Sequence, residues 1–287
     1  MGLVDDIKAS AKGNNTKIQS SDAAALEKIF NRMFYLPKDP EKETAFVKQV
    51  MTRGLESAER VGLHASALIT GEKQFCLRQQ VLSLLYKQLQ GEQLNPGLRR
   101  IFEEGNAVHE KWQRLFLRAG YSDVCDLDVT QFNPQWRISY TPDVKCYIPE
   151  FFEGKMIGEL KSVNTFQHQK MLKHPSAWKQ CQWYMALEID REQREGTWNG
   201  IDWTKGFVLS EDKNTQDIKV EVYDRDPRLV APFIERAESI KVNYKRVKVQ
   251  HKMVSRPDDA KKPDCKRCHD CPMRDACWNI GMGRVPL

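Results

Sequence analysis

The chain has 287 residues, 40% of them apolar and 29% charged, with a mean hydropathy of −0.62. That is the composition of a globular protein with a sizeable core, and it excludes a fibrous or wholly disordered chain. No apolar run approaches the roughly 20 residues of a membrane helix, and the start, Met-Gly-Leu-Val-Asp-Asp, has no basic flank or apolar stretch. A cytoplasmic location without a membrane partner is therefore expected. Lys and Arg outnumber Asp and Glu by 45 to 39, a net charge of +6.

Residues 1 to about 60 are polar and interrupted by Gly13, Pro37 and Pro40. Ala23 to Phe34 and Thr44 to Leu55 are expected helices within this helical N-terminal extension. Ser66 to Leu89 also reads as helix. Leu98, Ile101, Phe102, Val108, Trp112, Leu115 and Phe116 recur mostly at three- and four-residue steps, which predicts an amphipathic helix. Strands are expected at Val124 to Phe132, Trp136 to Ile148 and Met156 to Val163, with Gly120, Pro134 and Gly154 as punctuation. Helix returns at Ser176 to Ile189. Gly206 to Ser210 and Ile218 to Tyr223 form a strand pair around the turn-rich Asp212-Lys213-Asn214. A long helix, Arg228 to Val249, follows Pro227. The order helix, strands, helix, strands, helix predicts an α/β core with a mixed sheet flanked by helices.

From Arg228 to Leu287, fourteen Lys and Arg face seven Asp and Glu, so the tail carries +7 and the rest of the chain is close to neutral. Such a tail suits a solvated helix face and a phosphate-binding flank alike.

Two constellations carry chemistry. In the first, Pro142-Asp143 lies in a strand-like run and fifteen residues separate Asp143 from Glu159. On a strand Glu159 and Lys161 share a face, and Leu160 points the other way, into the core. Two neighbouring strands can bring both carboxylates together as a site for Mg²⁺ or Mn²⁺. Such an ion polarises a phosphoryl oxygen and lowers the pKa of a bound water, and a lysine beside it stabilises developing negative charge. A lone Glu-x-Lys is weak, since Glu153-Gly154-Lys155 and Glu211-Asp212-Lys213 also occur. The neighbours strengthen it. Gly105 and His109 are four apart on one helix face, and a mid-helix glycine, costing roughly 1 kcal/mol against alanine, predicts close packing there. Gln180 and Tyr184 are likewise four apart on the next helix.

The order Gly-x-x-x-His, Pro-Asp, Gly-Glu-Leu-Lys, Gln-x-x-x-Tyr resembles the RecB-like nucleases of the PD-(D/E)XK superfamily, over about residues 66 to 225. The resemblance implies a restriction-endonuclease-like nuclease domain over 61–260. It implies His109, Asp143 and Glu159 as metal ligands with the Leu160 carbonyl as an extra one. Lys161 is then the catalytic lysine, and Gln180 and Tyr184 complete the site.

The second constellation is Cys265, Cys268, Cys271 and Cys277, half of the eight cysteines within thirteen residues. Thiolates this close suit zinc or an iron–sulfur cluster, and all four can bind one zinc unaided. Cys76 with nearby Arg78 offers a further ligand from the first helix. This pattern resembles the iron–sulfur branch of the RecB-like family, which includes CRISPR-associated exonucleases and the AddB nuclease domain. That branch implies Cys76, Cys268, Cys271 and Cys277 around a [4Fe–4S] cluster, the tail 261–287 closing onto Cys76. Cys265 is a fifth candidate and Leu77 replaces the usual proline, so zinc stays open. Cys125, Cys146 and Cys181 are expected core residues.

The resemblance implies a metal-dependent DNA exonuclease of recombination, repair or processing, acting on single strands or duplex ends. Trp178, Trp183 and Tyr184 are candidates to stack on unpaired bases. The alternatives are a structure-specific endonuclease with a zinc site and a non-catalytic DNA-binding partner of a recombination complex. No Walker-type Gly-x4-Gly-Lys is present, so unwinding would need a helicase partner, and a single-strand annealing protein is a further expected partner.

Overall fold

The computed structural model describes residues 20–55, 63–72, 74–86, 96–170 and 173–280. The chain forms two compact units. One comprises Met1–Glu59, Pro96–Gln131 and Tyr140–Ala231, and the other Arg60–Asn95, Phe132–Ser139 and Pro232–Leu287. Among the described residues no helix is long and apolar enough to cross a membrane.

The first unit is built on a four-stranded sheet of order β4-β5-β6-β7, with strands β4 (Val144–Cys146), β5 (Met156–Val163), β6 (Lys205–Asp212) and β7 (Ile218–Asp224). β4 runs antiparallel to β5, β5 parallel to β6, and β6 antiparallel to β7. The parallel pair needs a crossover, and the chain supplies α5 (Thr165–Lys170) and α6 (Ala177–Glu195), the latter packed against β5 and β6. The β6–β7 turn is held by Asp212 Oδ1, which accepts from the amides of Asn214 and Thr215 at 2.9 and 3.5 Å.

Three helices supply the core on one face of the sheet: α1 (Ser20–Met33), α2 (Pro40–Leu55) and α4 (Pro96–Ala119). Leu26 and Phe30 of α1, Phe46 of α2, and Trp112 and Phe116 of α4 join Met156, Leu160, Phe207 and Val222 in one buried cluster. Phe30, Phe116 and Phe207 lie 5.2–5.9 Å apart centroid to centroid, in aromatic contact. The expected N-terminal helices are thus both present, and their apolar residues sit in the same core as the sheet.

The second unit holds a three-stranded sheet of order β1-β3-β2, from β1 (Leu63–His64), β2 (Gln131–Asn133) and β3 (Ile138–Tyr140). Leu63 and His64 pair in parallel with Ile138 and Ser139. Its helices are α3 (Leu77–Leu85), α8 (Arg274–Ile280) and most of α7 (Pro227–Gln250), which begins in the first unit. Pro227 starts α7, where its missing N–H costs nothing, and the helix tolerates Pro232 inside its second turn. In this unit Trp136 Nε1 donates to Glu238 at 2.7 Å.

Several expectations need correction. Ser66 to Leu89 is not one helix. A 3₁₀ turn over Ala65–Ala67 is followed by a turn at Gly71, whose carbonyl accepts from Gln74 and Phe75, and α3 starts only at Leu77. Residues 87–89 lie outside the described residues. Val124 to Phe132 opens as a 3₁₀ turn, Val124–Asp126, and Asp128 adopts a left-handed φ of 51°, so only Gln131 onward is extended. Trp136 to Ile148 is broken at Pro142, which has no N–H for a ladder, into β3 and β4 of different sheets. Cys146 and Cys181 are buried as expected, whereas Cys125 is exposed.

Candidate active site

β5 is the spine of the site. Along it Met156 and Leu160 face the aromatic core, so the intervening Glu159 and Lys161 face the other way, where α6 packs. Gly158 permits this seating, because a Cβ there would lie 2.3 Å from the Phe207 ring. Asp143 immediately precedes β4. The antiparallel register, Val144 opposite Gly158, sets it beside Glu159.

The carboxylates share one lysine. Lys161 Nζ lies 2.9 Å from Glu159 Oε2 and 3.4 Å from Asp143 Oδ2. Asp143 Oδ2 also accepts from the Leu160 amide at 2.8 Å. From α4, His109 Nδ1 stands 3.5 Å from Asp143 Oδ1, and Gln113, one turn on, donates to the Asp143 carbonyl at 2.8 Å. Glu159 is 1% exposed, and its Oε1 has no hydrogen-bond partner among the described residues.

These contacts split the two acids. Burial pushes Asp143 up, but Lys161 and His109 outweigh it and hold the carboxyl below its ordinary value. Burial, then the neighbouring Asp143 charge, pushes Glu159 up to about 8. Burial opposes the Lys161 charge, yet both carboxylates outweigh it and raise the ammonium's pKa. At neutral pH Lys161 is therefore a fixed cation between two acids.

α6 closes the site. Gln180 and Tyr184 lie one turn apart on α6, and the phenol feels the charges of Glu159 and Asp143. Burial, foremost, pushes the Tyr184 hydroxyl well above its ordinary value, so it stays protonated. Its ring packs 5.9 Å from Tyr140. The fold thus gathers His109, Asp143, Glu159, Leu160, Lys161, Gln180 and Tyr184 at one place. Two expectations fail. Trp183 and Tyr184 are 0% and 1% exposed, so neither ring is available for stacking on a base. Among the described residues nothing lies within 4 Å of a Cβ at Gly105, so that glycine answers no close packing there. Gln113 was missed, although its i+4 spacing from His109 was readable.

The carboxylate pair fits a divalent cation in its chemistry: two buried acids, one oxygen without a partner, and a like-charge conflict that a cation removes. As the side chains stand, among the described residues no three His, Cys, Asp or Glu are grouped closely enough to hold a metal ion. Lys161 occupies the position between the acids.

In the second unit, Cys76, Cys268, Cys271 and Cys277 line one small cavity of about 20 Å³ with Arg78, Arg256 and Arg267. Cys265 is not part of that lining. Arg78 is fully buried. Its Nε donates to Cys277 Sγ at 3.0 Å and its other nitrogens to the Val254 and Cys277 carbonyls at 2.5 and 3.1 Å. Cys76 caps α3, its sulfur accepting from the Gln79 amide at 3.5 Å. Arg267 donates to the Phe75 carbonyl at 2.9 Å and its charge acts on Cys76 and Cys268. Burial pushes the Cys76 and Cys271 thiols up, and Cys268 to about 11. Burial is outweighed at Cys265, where the Cys268 thiol and backbone amides hold the pKa down. Four sulfurs with guanidinium groups suit an anionic metal–thiolate centre as a donor set.

No protein-family model matches the chain, and no curated protein sequence does. Among solved structures it is similar to SSO0001, at 13% identity and a TM-score of 0.43, over 83% of this chain and 96% of that one. It is also similar to LHK-Exo in complex with dAMP, at 15% identity and a TM-score of 0.43, over 67% of this chain and 94% of that one. The alkaline exonuclease LHK-Exo from Laribacter hongkongensis aligns again at 13% identity and 0.40, over 66% and 92%. All three likenesses are remote.

Proposed function

We infer that the chain is a divalent-metal-dependent deoxyribonuclease, working as an exonuclease, with a structural [4Fe–4S] cluster in its second unit. The observation that carries this reading is the buried Asp143–Glu159 pair joined by Lys161, with Glu159 Oε1 unpartnered. A fold has no structural use for such a conflict, and perturbed acids of this kind mark chemistry. The motif order in the sequence supplies the class, phosphodiester hydrolysis on DNA.

His109, Asp143, Glu159 and the Leu160 carbonyl would hold Mg²⁺ or Mn²⁺, which supplies polarisation of a phosphoryl oxygen and a water of lowered pKa. The chain's own residues do the rest. Lys161 keeps its charge at neutral pH and offsets the negative charge that develops on the phosphoryl oxygens. Gln113 fixes the Asp143 backbone, and the Leu160 amide orients its carboxylate. Tyr184 remains a phenol and presents a neutral polar group beside the acids, with Gln180 one turn away. Cys76, Cys268, Cys271 and Cys277 would hold the cluster, with Arg78 and Arg267 offsetting its negative charge.

The deciding experiment compares Asp143→Ala and Glu159→Ala with the parent on single- and double-stranded DNA with Mn²⁺. Loss of hydrolysis in both is expected; variants as fast as the parent overturn the assignment. Circular and end-blocked substrates must resist attack if the enzyme is an exonuclease. Anaerobic protein with broad visible absorption and matching iron and sulfide supports the cluster, whereas colourless protein with one zinc refutes it.

A further inference from the structure

Beside the site, the crossover from β5 to α6 carries rings and cations on an open surface. Phe166 of α5 is 65% exposed. Lys170 Nζ sits 3.9 Å over its face. Further along, Lys173 Nζ sits 3.8 Å over the half-buried Trp178 ring, with Lys179 at 5.6 Å from the same ring. Phe166 and Lys170, with Val163, Gln167, His174 and Pro175, line a groove of about 270 Å³. No carboxylate is among these lining residues. Two acids adjoin these residues and both are buried: Glu221 accepts from the His174 amide at 2.7 Å and from Tyr223, and Asp212, opposite Val163, accepts from Thr165 at 3.0 Å.

The groove leads to the chemistry. Val163 stands two residues past Lys161 on β5, about 7 Å along the strand. Trp178, three residues beyond the lining residue Pro175, precedes Gln180 by two residues on α6.

We propose that Phe166, Lys170, Lys173 and Trp178 bind an unpaired DNA strand and deliver it to the carboxylate site. The proposal rests on the nuclease reading and adds the form of the substrate. An exposed ring with an ammonium over it offers a nucleotide both things it needs: a π face for the base and a cation for the phosphate. A base in a duplex already has both faces covered by its neighbours, so this surface selects single strands. Charge complementarity and the lack of acids among the described lining residues fit a polyanion rather than an apolar peptide.

The test is fluorescence anisotropy with a labelled oligo-dT strand and a blunt duplex, in EDTA so that no hydrolysis occurs. Phe166 is exposed, so Phe166→Ala leaves the fold intact. It should weaken oligo-dT binding by about 5-fold or more, the effect of one lost base stack, and leave duplex binding unchanged. Trp178→Ala should do the same and Trp178→Phe should restore much of the affinity. Lys170→Gln with Lys173→Gln should flatten the salt dependence, by about 0.7 in slope for each phosphate no longer neutralised. Oligo-dT affinities within about twofold of the parent for both Phe166→Ala and Trp178→Ala overturn the proposal. So does an equal loss on strand and duplex. The two readings fail separately: normal binding by Phe166→Ala with inactive Asp143→Ala removes only this surface. Weakened binding by Phe166→Ala with fully active Asp143→Ala removes only the catalytic assignment.

Discussion

Gly158→Ala probes how the site strand is seated. The added Cβ would lie 2.3, 2.7 and 2.9 Å from three carbons of the Phe207 ring. Carbon atoms in contact rest about 3.5–4.0 Å apart, so the ring or the strand must retreat by about 1 Å. The ring has no room. It is fully buried, 5.2 Å from Phe30 and 5.9 Å from Phe116 by centroids. Overpacking of this kind costs about 1–3 kcal/mol, against about 0.4–1 kcal/mol returned by restricting the unfolded chain. A net loss of about 1 kcal/mol is expected. Glu159 is the next residue, so a strand displaced by about 1 Å also moves the proposed catalytic pair, with an expected rate loss on the order of 100-fold. Urea unfolding of Gly158→Ala, Phe207→Leu and the double variant measures the clash. The smaller leucine should relieve it, so the double variant should be more stable than the sum predicts by about 0.5–3 kcal/mol. A Gly158→Ala protein as stable as the parent, or strict additivity with Phe207→Leu, refutes this account.

Other outcomes follow from the same packing and hydrogen bonds. Glu211 is 2% exposed and accepts from Trp112 Nε1 at 2.6 Å and Lys111 Nζ at 2.5 Å. Glu211→Leu orphans the indole and should lower stability by about 2 kcal/mol in a chemical melt, while Glu211→Gln, which keeps an acceptor, should lose less. Arg78→Met removes three hydrogen bonds of a buried guanidinium, two of them to Cys277, and should cost about 3 kcal/mol and abolish retention of iron or zinc on desalting. Burial, and the charge of Lys161 after it, lowers His174 to about 4 from 6.5. Between those values the unfolded chain binds the proton and the folded one does not. The stability present above pH 6.5 is therefore lost as pH falls toward 4. His174 is only half-buried, so screening reduces its share to about 1 kcal/mol. His174→Asn keeps an acceptor for the Ala177 amide and should lose correspondingly less stability across that window; an unchanged pH slope removes the assignment.

What the sequence revealed tracks how locally each feature is specified. The alternation in Met156 to Val163 is a property of one strand, so its core face and its Glu159–Lys161 face were both readable. The i+4 pairs on α4 and α6 were legible for the same reason. The early strands were not. Asp128 and Arg137 take left-handed φ values of 51° and 55°, conformations that their residue types do not announce. Pro142 divides a continuous β-like run between two sheets, and only the tertiary pairing decides that. Trp183 and Trp178 have the same chemistry, five residues apart on one helix. Their exposure depends on which side of α6 meets the sheet. Gln113 and Phe166 escaped notice because a polar helix residue and an exposed phenylalanine are each common; only the neighbours supplied by folding give them meaning.

The carboxylate pair also shows what β5 gives up. Met156, Ile157 and Leu160 are all 0% exposed, and a strand buried this fully is normally apolar throughout. At Glu159 and Lys161 it instead carries an acid with one unpartnered oxygen and a base whose charge is divided between two acids. Apolar residues of similar volume would pack the same space without desolvating any charge, and such replacements commonly raise stability. Along the rest of β5 the pattern and the packing agree, Gly158 being required by the Phe207 ring. The disagreement is confined to two alternate positions, on the face where Asp143, His109 and Tyr184 converge. A conflict so localised fits the proposed site better than a weak fold.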